Sequence, residues 1–397
     1  MNQSAVRRVN TSVILRALAV SAGPTTLTAL AERTTLSRRT IELILDSLLT
    51  AGWVAELDRV PARGCAGRPA RRYELRAEHA LLAAAQITTE TVSAVVADVR
   101  GRIVGRAHRP LRSYPDPRTS LDDVATLVRE ALADAGGSVE RLRAGALASG
   151  GAIDDDGVVR RLVHTTRWEG VDLPAELTRR IRVPWFADND TNLGALGERW
   201  RGVAGDHDNV VWAMLGNRAG LGILIRGAVH RGLDGAAGEI IEAVPMRTDS
   251  VEDRPVAWLT SPEPERRAVA LGRVEAARAG EAGALAEVDE FVAHIAAILT
   301  TLSWTVAPSL IVLGGGLEDA SDVLLPRVRE ALRAARTPAV ELRATGLGRD
   351  AALVGAVKLA LDRMDTQLFG PPVPSLCPPA SPILWSFPCP TPPTPMS

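Results

Sequence analysis

Cysteine is scarce in this chain of 397 residues, which contains three: Cys65, Cys377 and Cys389. Cysteines so few and so far apart exclude a disulfide framework and a cysteine-rich zinc module. No apolar run reaches the roughly 18 residues that a membrane-spanning helix needs. The short apolar stretch near the N-terminus is interrupted by polar residues and has no small-residue cleavage site, unlike a signal peptide. We therefore expect a soluble, cytoplasmic protein that does not associate with membranes.

Lysine is nearly absent as well, since Lys358 is the only one and almost all of the 46 basic residues are arginines. The formal net charge of −1 argues against a chain that is basic throughout. However, residues 1–76 contain 12 arginines against six acidic residues, and the remainder contains 34 basic against 41 acidic residues. A basic head on an acidic body indicates that the two parts meet different partners. The length and the apolar content of 46% predict two domains or more.

The basic head shows the pattern of three short helices followed by a hairpin. Residues 9–50 carry the helical patterns, with Thr26 and Ser37 as the expected N-caps of the second and third helices. The buried stripe of the third helix is predicted from four apolar residues at helical spacing: Ile41, Ile44, Leu45 and Leu48. Residues 53–57 and 71–75 alternate as two strands. This order of elements predicts a winged helix-turn-helix over residues 1–76.

In such a motif the second helix of the helix-turn-helix enters the major groove of DNA, and arginine there can bind guanine through two hydrogen bonds. A Gly-Arg-Pro hairpin tip at residues 67–69 suits insertion into a narrow minor groove. The predicted DNA contacts are Ser37, Arg38, Arg39, Thr40, Arg63, Arg68, Arg71 and Arg72. The alternative is a helical docking domain with a solvated arginine face. The excess of positive charge and the order of the elements together favour DNA.

From residue 81 onward, strand-like apolar runs alternate with helical patterns, which is typical of an α/β domain with mixed sheets. The strand-like runs are residues 92–99, 144–147, 183–186, 210–215, 221–225 and 310–313. The helical patterns are residues 120–135, 192–200, 284–305 and 320–335. Residues 367–397 contain 11 of the 26 prolines and no charged side chain, a composition that predicts a disordered tail.

Motifs along the whole chain resemble those of the ROK family (repressors, open reading frames and sugar kinases). In the head they are Asn10, Leu-Ser-Arg-Arg-Thr at residues 36–40 and Gly-Arg-Pro at residues 67–69. In the body five motifs follow in the family's order, at residues 150–159, 167–173, 188–198, 235–239 and 313–316. They are specific as a set rather than singly. The resemblance implies the fold class α/β, with the winged helix-turn-helix followed by a two-lobed actin-like (ribonuclease H-like) sugar-kinase fold over residues 81–365.

Similar kinases open the body with Gly-x-Asp-x-Gly-Gly-Thr, a segment that holds Mg²⁺ and the phosphates of ATP. At the corresponding residues 84–90 the aspartate and both glycines are replaced and a carboxylate follows: Gln86, Thr88, Thr89 and Glu90. The β-branched threonines block a close backbone approach, and the carboxylate is expected to repel phosphate oxygens. The second phosphate segment, residues 216–222, has the bulky Arg218 in its loop. We therefore expect no kinase activity and no bound cofactor.

Asp190 matches the catalytic base of these kinases, and without a phosphate segment it is expected to be a vestigial base that binds a hydroxyl group. The resemblance and the residue types predict four effector contacts: Trp168, Asn189, Asp190 and Glu239. Planar acceptors and donors suit sugars, because an unpaired buried polar group is costly. The alternatives are capping roles. Asp190 would cap the following helix, and Glu239 would cap its own turn.

A metal site is not expected. Similar family members have a histidine and a cysteine-rich zinc loop after the Gly-Glu motif, but here Glu242 stands at the histidine position. No cysteine follows it before Arg254, so tetrahedral zinc cannot be built there.

The sequence thus predicts a transcriptional regulator that binds a double-stranded DNA operator as a homodimer or homotetramer. A sugar or sugar-derived effector would bind one arrangement of the body better than the other. Two alternatives remain open: a sugar kinase with a DNA-binding appendage, and a DNA-binding regulator that responds to no effector.

Overall fold

The N-terminal segment folds into three helices and a small antiparallel sheet. The computed structural model describes residues 3–57, 70–163, 165–242 and 254–369, and the account below concerns these residues. The helices are α1 (Gln3–Ala19), α2 (Leu27–Thr34) and α3 (Arg38–Thr50). The strands are β1 (Thr25–Thr26), β2 (Val54–Leu57) and β3 (Arg72–Leu75), in the order β1-β3-β2. The short strand β1, which pairs with β3, was not predicted.

Local patterns account for these helices. Thr26 and Ser37 cap α2 and α3 by accepting hydrogen bonds from the backbone N–H groups of Ala29 and Thr40, both at 3.2 Å. Both predicted caps are therefore confirmed. The predicted stripe of α3 is also confirmed, because Ile41, Ile44, Leu45 and Leu48 are all buried.

The first lobe of the body is built on a five-stranded sheet of order β10-β7-β4-β5-β6. Its strands are β4 (Leu81–Ile87), β5 (Thr91–Asp98), β6 (Ile103–Pro110), β7 (Leu142–Ser149) and β10 (Trp185–Asn189). β4, β7 and β10 run parallel, whereas β5 and β6 are antiparallel additions. Helices α4 (Pro117–Asp134) and α5 (Leu173–Ile181) pack on this sheet, and a short hairpin joins β8 (Ala152–Ile153) to β9 (Val159–Arg161).

The second lobe repeats this plan with a sheet of order β13-β12-β11-β14-β15. Its strands are β11 (Val210–Leu215), β12 (Ala219–Ile225), β13 (Ala228–Val229), β14 (Leu310–Leu313) and β15 (Glu341–Ala344). Helices α7 (Pro264–Arg278), α8 (Ala282–Thr305) and α9 (Ser321–Ala334) share one apolar core with it. None of the helices in the described part of the chain is both long and apolar enough to cross a bilayer.

Two helices lie between the sheets. α6 (Asp190–Arg201) packs on β11 and β12, and α10 (Ala351–Phe369) packs on β4 and β7. They approach each other closely, because a Cβ atom at Gly197 would meet the carbonyl oxygen of Ala351 and one at Gly355 would collide with the carbonyl oxygen of Leu193.

The sequence patterns missed nine of the helices and strands of the body described above: β4, β6, β8, β9, β13, β15, α5, α7 and α10. β4 and α10 are buried almost throughout, so neither shows the alternation between apolar and polar residues on which such predictions rest. α10 continues to Phe369, so the predicted disordered tail begins three residues too early. Residues 370–397 lie outside the described residues.

The head is packed on the first lobe. One apolar cluster runs through α1, α3, the first sheet and α10, and includes Ile14, Leu18, Leu45, Leu82, Val95, Leu361 and Met364. At the rim of this contact Arg100, in the turn between β5 and β6, donates from Nη1 to the carbonyl oxygens of Ala19 at 3.1 Å and Ser21 at 2.8 Å. These acceptors follow the end of α1, where carbonyl groups lack helical partners.

The close approach of α6 and α10 predicts opposite effects for the same substitution at two helical glycines. Gly355→Ala should lower the free energy of unfolding by about 1–3 kcal/mol, because the added methyl group forces the two helices apart. Gly272→Ala, on α7, should raise it by about 0.5–1 kcal/mol, since nothing lies within 4 Å of the new Cβ atom. Urea unfolding followed by circular dichroism measures both. An unchanged stability in Gly355→Ala would contradict the packing of α6 against α10.

Candidate functional site

The carboxyl ends of three parallel strands meet at one edge of the first sheet. The last residues of β4, β7 and β10, namely Ile87, Ser149 and Asn189, lie side by side in register. The loops that follow, together with the turn between β11 and β12, enclose a cavity of ≈ 70 Å³. Its polar lining consists of Thr88, Thr89, Tyr114, Asn189, Asp190, Thr191, Arg218 and Glu239. This edge is where α/β sheets usually bind ligands, and three of the predicted effector contacts meet there.

The side-chain amide of Asn189 is fully used inside the protein. Its Oδ1 accepts from the N–H groups of Thr191 (2.8 Å) and Asn192 (3.2 Å), and so caps α6. Its Nδ2 donates to the carbonyl oxygen of Gly151 (3.0 Å) and to Oε1 of Glu239 (2.9 Å). An amide has two N–H groups and two lone pairs to offer. The prediction that Asn189 chelates effector hydroxyls is therefore corrected: Asn189 positions Glu239 and the start of α6, and it is this residue, not Asp190, that caps the helix.

Asp190 forms an ion pair with Arg218, with 2.9 Å between Oδ2 and Nη2. The Asp190 side chain is 7% exposed and that of Arg218 is 24% exposed. Thr260 fixes the loop that carries the arginine, because its hydroxyl accepts from the N–H of Arg218 at 3.1 Å and donates to Oδ1 of Asn217 at 2.8 Å. The sequence identified Arg218 as bulky but did not predict its partner.

The ion pair separates two cavities. A second cavity of ≈ 370 Å³ lies between the lobes, and Asp190 and Arg218 line both. Gln86 and Thr88, from the altered first phosphate segment, also line the second cavity. The side chain of Glu90 is exposed and lines neither. The predicted repulsion of phosphate by Glu90 is therefore wrong, because the turn after β4 directs that side chain to solvent.

Tyr114, and not the predicted Trp168, lines the smaller cavity. Trp168 is 1% exposed and belongs to the apolar core of the first lobe, so the prediction that it contacts an effector is wrong. Its indole N–H donates to the carbonyl oxygen of Tyr114 at 2.8 Å. Tyr114 itself lines the smaller cavity, and burial, followed by the charge of Asp190, raises the pKa of its hydroxyl above the usual value. Tyr114 therefore keeps its proton at neutral pH; no motif of the sequence indicated it.

A second ion pair stabilises the end of β10, next to the candidate site. Asp188 is almost completely buried and its Oδ2 accepts from Nη2 of Arg231 at 2.6 Å, while its Oδ1 accepts from Nδ2 of Asn192 at 3.0 Å. These contacts fix the end of β10 and the first turn of α6. Within the described residues no group of three histidine, cysteine, aspartate or glutamate side chains is placed to hold a metal ion. Residues 243–253, which belong to the segment where similar family members have a zinc loop, lie outside those residues.

The predicted DNA-contacting side chains of the head differ in exposure and in whether they already bind another residue of the protein. The hydroxyl groups of Ser37 and Thr40 bind each other at 2.8 Å, and Nη2 of Arg38 donates to Oγ1 of Thr28 at 3.3 Å. Arg71 pairs with Glu56 at 3.3 Å, and Arg72 is half-buried in β3. Arg39 is exposed and has no hydrogen-bond partner among the described residues. Two further predicted contacts, Arg63 and Arg68, lie outside the described residues.

Comparison with known proteins finds a matching family model and relatives that cover much of the chain. The model of the ROK family matches residues 84–243 and 261–363. The xylose repressor of Bacillus subtilis (strain 168) is 24% identical over 241 residues, which are 60% of this chain and 61% of that protein. The xylose repressor of Bacillus spizizenii is 22% identical over 382 residues, covering 91% of this chain and 97% of that protein.

Solved structures show the same fold. A ROK family glucokinase from Streptomyces griseus, in complex with glucose and AMPPNP, has a TM-score of 0.60 and 26% identity, covering 70% of this chain and 99% of that one. A ROK family transcriptional regulator, a homolog of the MLC protein of E. coli, has a TM-score of 0.71 and 19% identity, covering 92% of this chain and 98% of that one. The body thus has the two-lobed α/β fold of these proteins, which include regulators and kinases.

The ion pair between Asp190 and Arg218 yields a prediction on stability. A buried carboxylate left without its partner costs about 3–5 kcal/mol in a closed interior. Because Arg218 is partly exposed, we expect Arg218→Ala to lower the free energy of unfolding by a smaller amount, about 1–3 kcal/mol. Adding Asp190→Asn to this variant should restore part of the loss. Urea unfolding measures both, with the exposed Arg333→Ala as control; a loss no larger than that of the control contradicts the predicted role of the pair.

Proposed function

The chain belongs to the ROK family, and from that premise we propose that it is a transcriptional regulator that binds a DNA operator through its head. In this proposal a sugar or sugar-derived effector binds the body, and the body has no kinase activity. Similarity to xylose repressors over most of the chain supports the regulator, and similarity to glucokinases keeps the kinase as the second candidate.

The head supports DNA binding through the face of α3 that points away from the core. The buried stripe of α3 packs on α1 and α2, so the opposite side is left to solvent and carries Arg38 and Arg39 at its first turn. In a helix-turn-helix, the first turn of the second helix contacts the base edges. We propose that residues 1–76 form a winged helix-turn-helix with β2 and β3 as the base of the wing. Two copies, in a homodimer or homotetramer, would then contact two half-sites.

The observation that carries the proposal against kinase activity is the ion pair of Asp190. A general base must offer a free carboxylate oxygen to the hydroxyl group from which it takes the proton. Here the Oδ2 of Asp190 already accepts a hydrogen bond from the guanidinium group of Arg218 at 2.9 Å. The guanidinium group also lies between the two cavities, where a phosphoryl group would have to pass from donor to sugar.

The size of the smaller cavity links effector binding to movement. An engineered cavity of about 150 Å³ holds benzene, and the cavity of ≈ 70 Å³ here is smaller. We therefore propose that a sugar-sized effector separates the lobes or displaces the Arg218 side chain toward the larger cavity. A ligand that binds one arrangement of the lobes better shifts the population toward it. Since the head packs on the first lobe, such a shift would reorient the head relative to the second lobe and to a partner subunit.

The first test concerns Arg39. We expect Arg39→Ala to weaken binding to the selected operator by about 1–3 kcal/mol and to relax the preference at one base pair, if the arginine reads guanine. Operator selection from random duplexes, followed by fluorescence anisotropy at fixed salt, measures both quantities. The control is Arg333→Ala, an exposed arginine on α9 that leaves the head unchanged. Unaltered specificity in Arg39→Ala would refute the assigned contact.

The second test separates regulator from kinase with one panel of pentoses, hexoses and their derivatives. We expect at least one sugar to raise the thermal stability, by the equivalent of ~2.7 kcal/mol at 100 times its Kd, and no sugar to support ATP consumption in a coupled assay. Turnover that disappears in Asp190→Asn would establish the kinase instead. If no sugar changes the stability, the regulator without an effector becomes the better description.

A further inference from the structure

An exposed leucine occupies the middle of the solvent face of α3. Leu43 is 59% exposed, although the apolar side chains of α3 on the other face are buried. It lies one helical turn after Arg39 and one turn before Asp46, and all three are exposed on the same side. Nine large apolar side chains are exposed among the described residues, and Leu43 is the one that lies on the face of α3 assigned to DNA in the proposed function.

Packing within the protein does not explain this leucine. The side chains that complete the core beneath α3 are Ile41, Ile44, Leu45 and Leu48, on the opposite face. Helix propensity does not require it either, since alanine, arginine or lysine would serve as well at an exposed position. Covering Leu43 with an apolar group of another molecule would remove its exposed surface from water, which is favourable.

The neighbouring charges restrict what can cover it. Glu42 and Asp46 are exposed on either side of Leu43, so this part of α3 is repelled by DNA phosphates. Arg39 supplies the opposite charge one turn earlier. A carboxylate can accept a hydrogen bond from the amino group of cytosine, and an apolar side chain can pack on the methyl group of thymine. These contacts lie on base edges in the major groove rather than on the backbone.

We propose that Leu43 reads a thymine by packing against its 5-methyl group in the major groove. The proposal rests on the proposed function, because it requires that α3 enters DNA. Four residues separate Leu43 from Arg39, which is ~6 Å along the helix. Since successive bases are ~3.4 Å apart, the thymine lies one or two base pairs from the base that Arg39 contacts. Leu43 is then a specificity-determining residue.

A protein partner is the competing occupant. One leucine flanked by three charged side chains offers little apolar area, whereas a stable protein–protein interface buries roughly 1,200–2,000 Å² in total. The chemistry of the surface therefore favours a single methyl-sized contact on a base edge.

The experiment removes the methyl group alone. The full-length protein first selects its operator from random duplexes, and each thymine of the half-site is then replaced singly by uracil, which lacks the 5-methyl group. Fluorescence anisotropy at constant salt gives the affinities of the wild type, of Leu43→Ala and of the control Val269→Ala, an exposed apolar residue of α7. Alanine is a better helix former than leucine, so α3 remains folded in the variant.

For the wild type and the control we expect one thymine position at which uracil lowers the affinity about fourfold, the effect of one buried methyl group. In Leu43→Ala the same replacement should change the affinity by less than 1.5-fold, estimated from the remaining contact of a single methyl carbon.

Indifference of the wild type to uracil at every position, or an equal loss in both proteins, would overturn the inference and leave the proposed function intact. Failure to select any duplex would defeat the proposed function itself. A change of oligomeric state in Leu43→Ala without a change in thymine dependence would assign the leucine to a protein contact and also overturn it.

Discussion

The packing of α6 against α10 is the constraint on which both ends of the molecule depend. The two helices fill the space between the sheets, and the close approach at Gly197 and Gly355 leaves no room for side chains there. The first turn of α6 carries Asp190 at the candidate site. At its other end, the guanidinium group of Arg201 donates to the carbonyl oxygens of Arg100 and Gly101, both at 2.6 Å. The side chain of Arg100 in turn holds the end of α1. Helix α6 and these hydrogen bonds thus connect the candidate site to the base of the head.

Our proposal that the body has no kinase activity rests on charge pairing at the candidate site and not on the loss of a carboxylate. The acid expected at the catalytic position is present, and Asn189 and Glu239 surround it. Arg218 adds a cation that pairs with this carboxylate. The same pair lines both cavities. In our proposal, this single side chain opposes both the chemistry and the route of phosphoryl transfer, while the remaining polar groups are left to recognise hydroxyl groups.

Local signals in the sequence predicted local structure well. The caps at Thr26 and Ser37 and the stripe of α3 were found because each depends on residues within one or two turns. β4 and α10 were not predicted, since an element that is buried along most of its length shows little of the polar face that sets its period. At the site, the motifs brought the right residues together, but their roles depend on distant partners. Arg218 meets Asp190 only because the β11–β12 turn folds over the end of β10, and Trp168 is withdrawn from the cavity because it fills the core of the first lobe.

The core shared by the head and the first lobe also limits which part of the molecule can move in regulation and which part keeps the geometry needed to recognise DNA. α1 and α3 belong to the same apolar cluster as α10, so an effector cannot easily change the internal geometry of the head without exposing that cluster to water. The cheaper change is a movement of the second lobe relative to a rigid unit made of the head and the first lobe. Under the proposed function, α3 would then present Arg39 and Leu43 in the same way with and without an effector. Effector binding would alter the placement of one head relative to another, and hence the affinity for paired half-sites, while the preferred bases would stay the same.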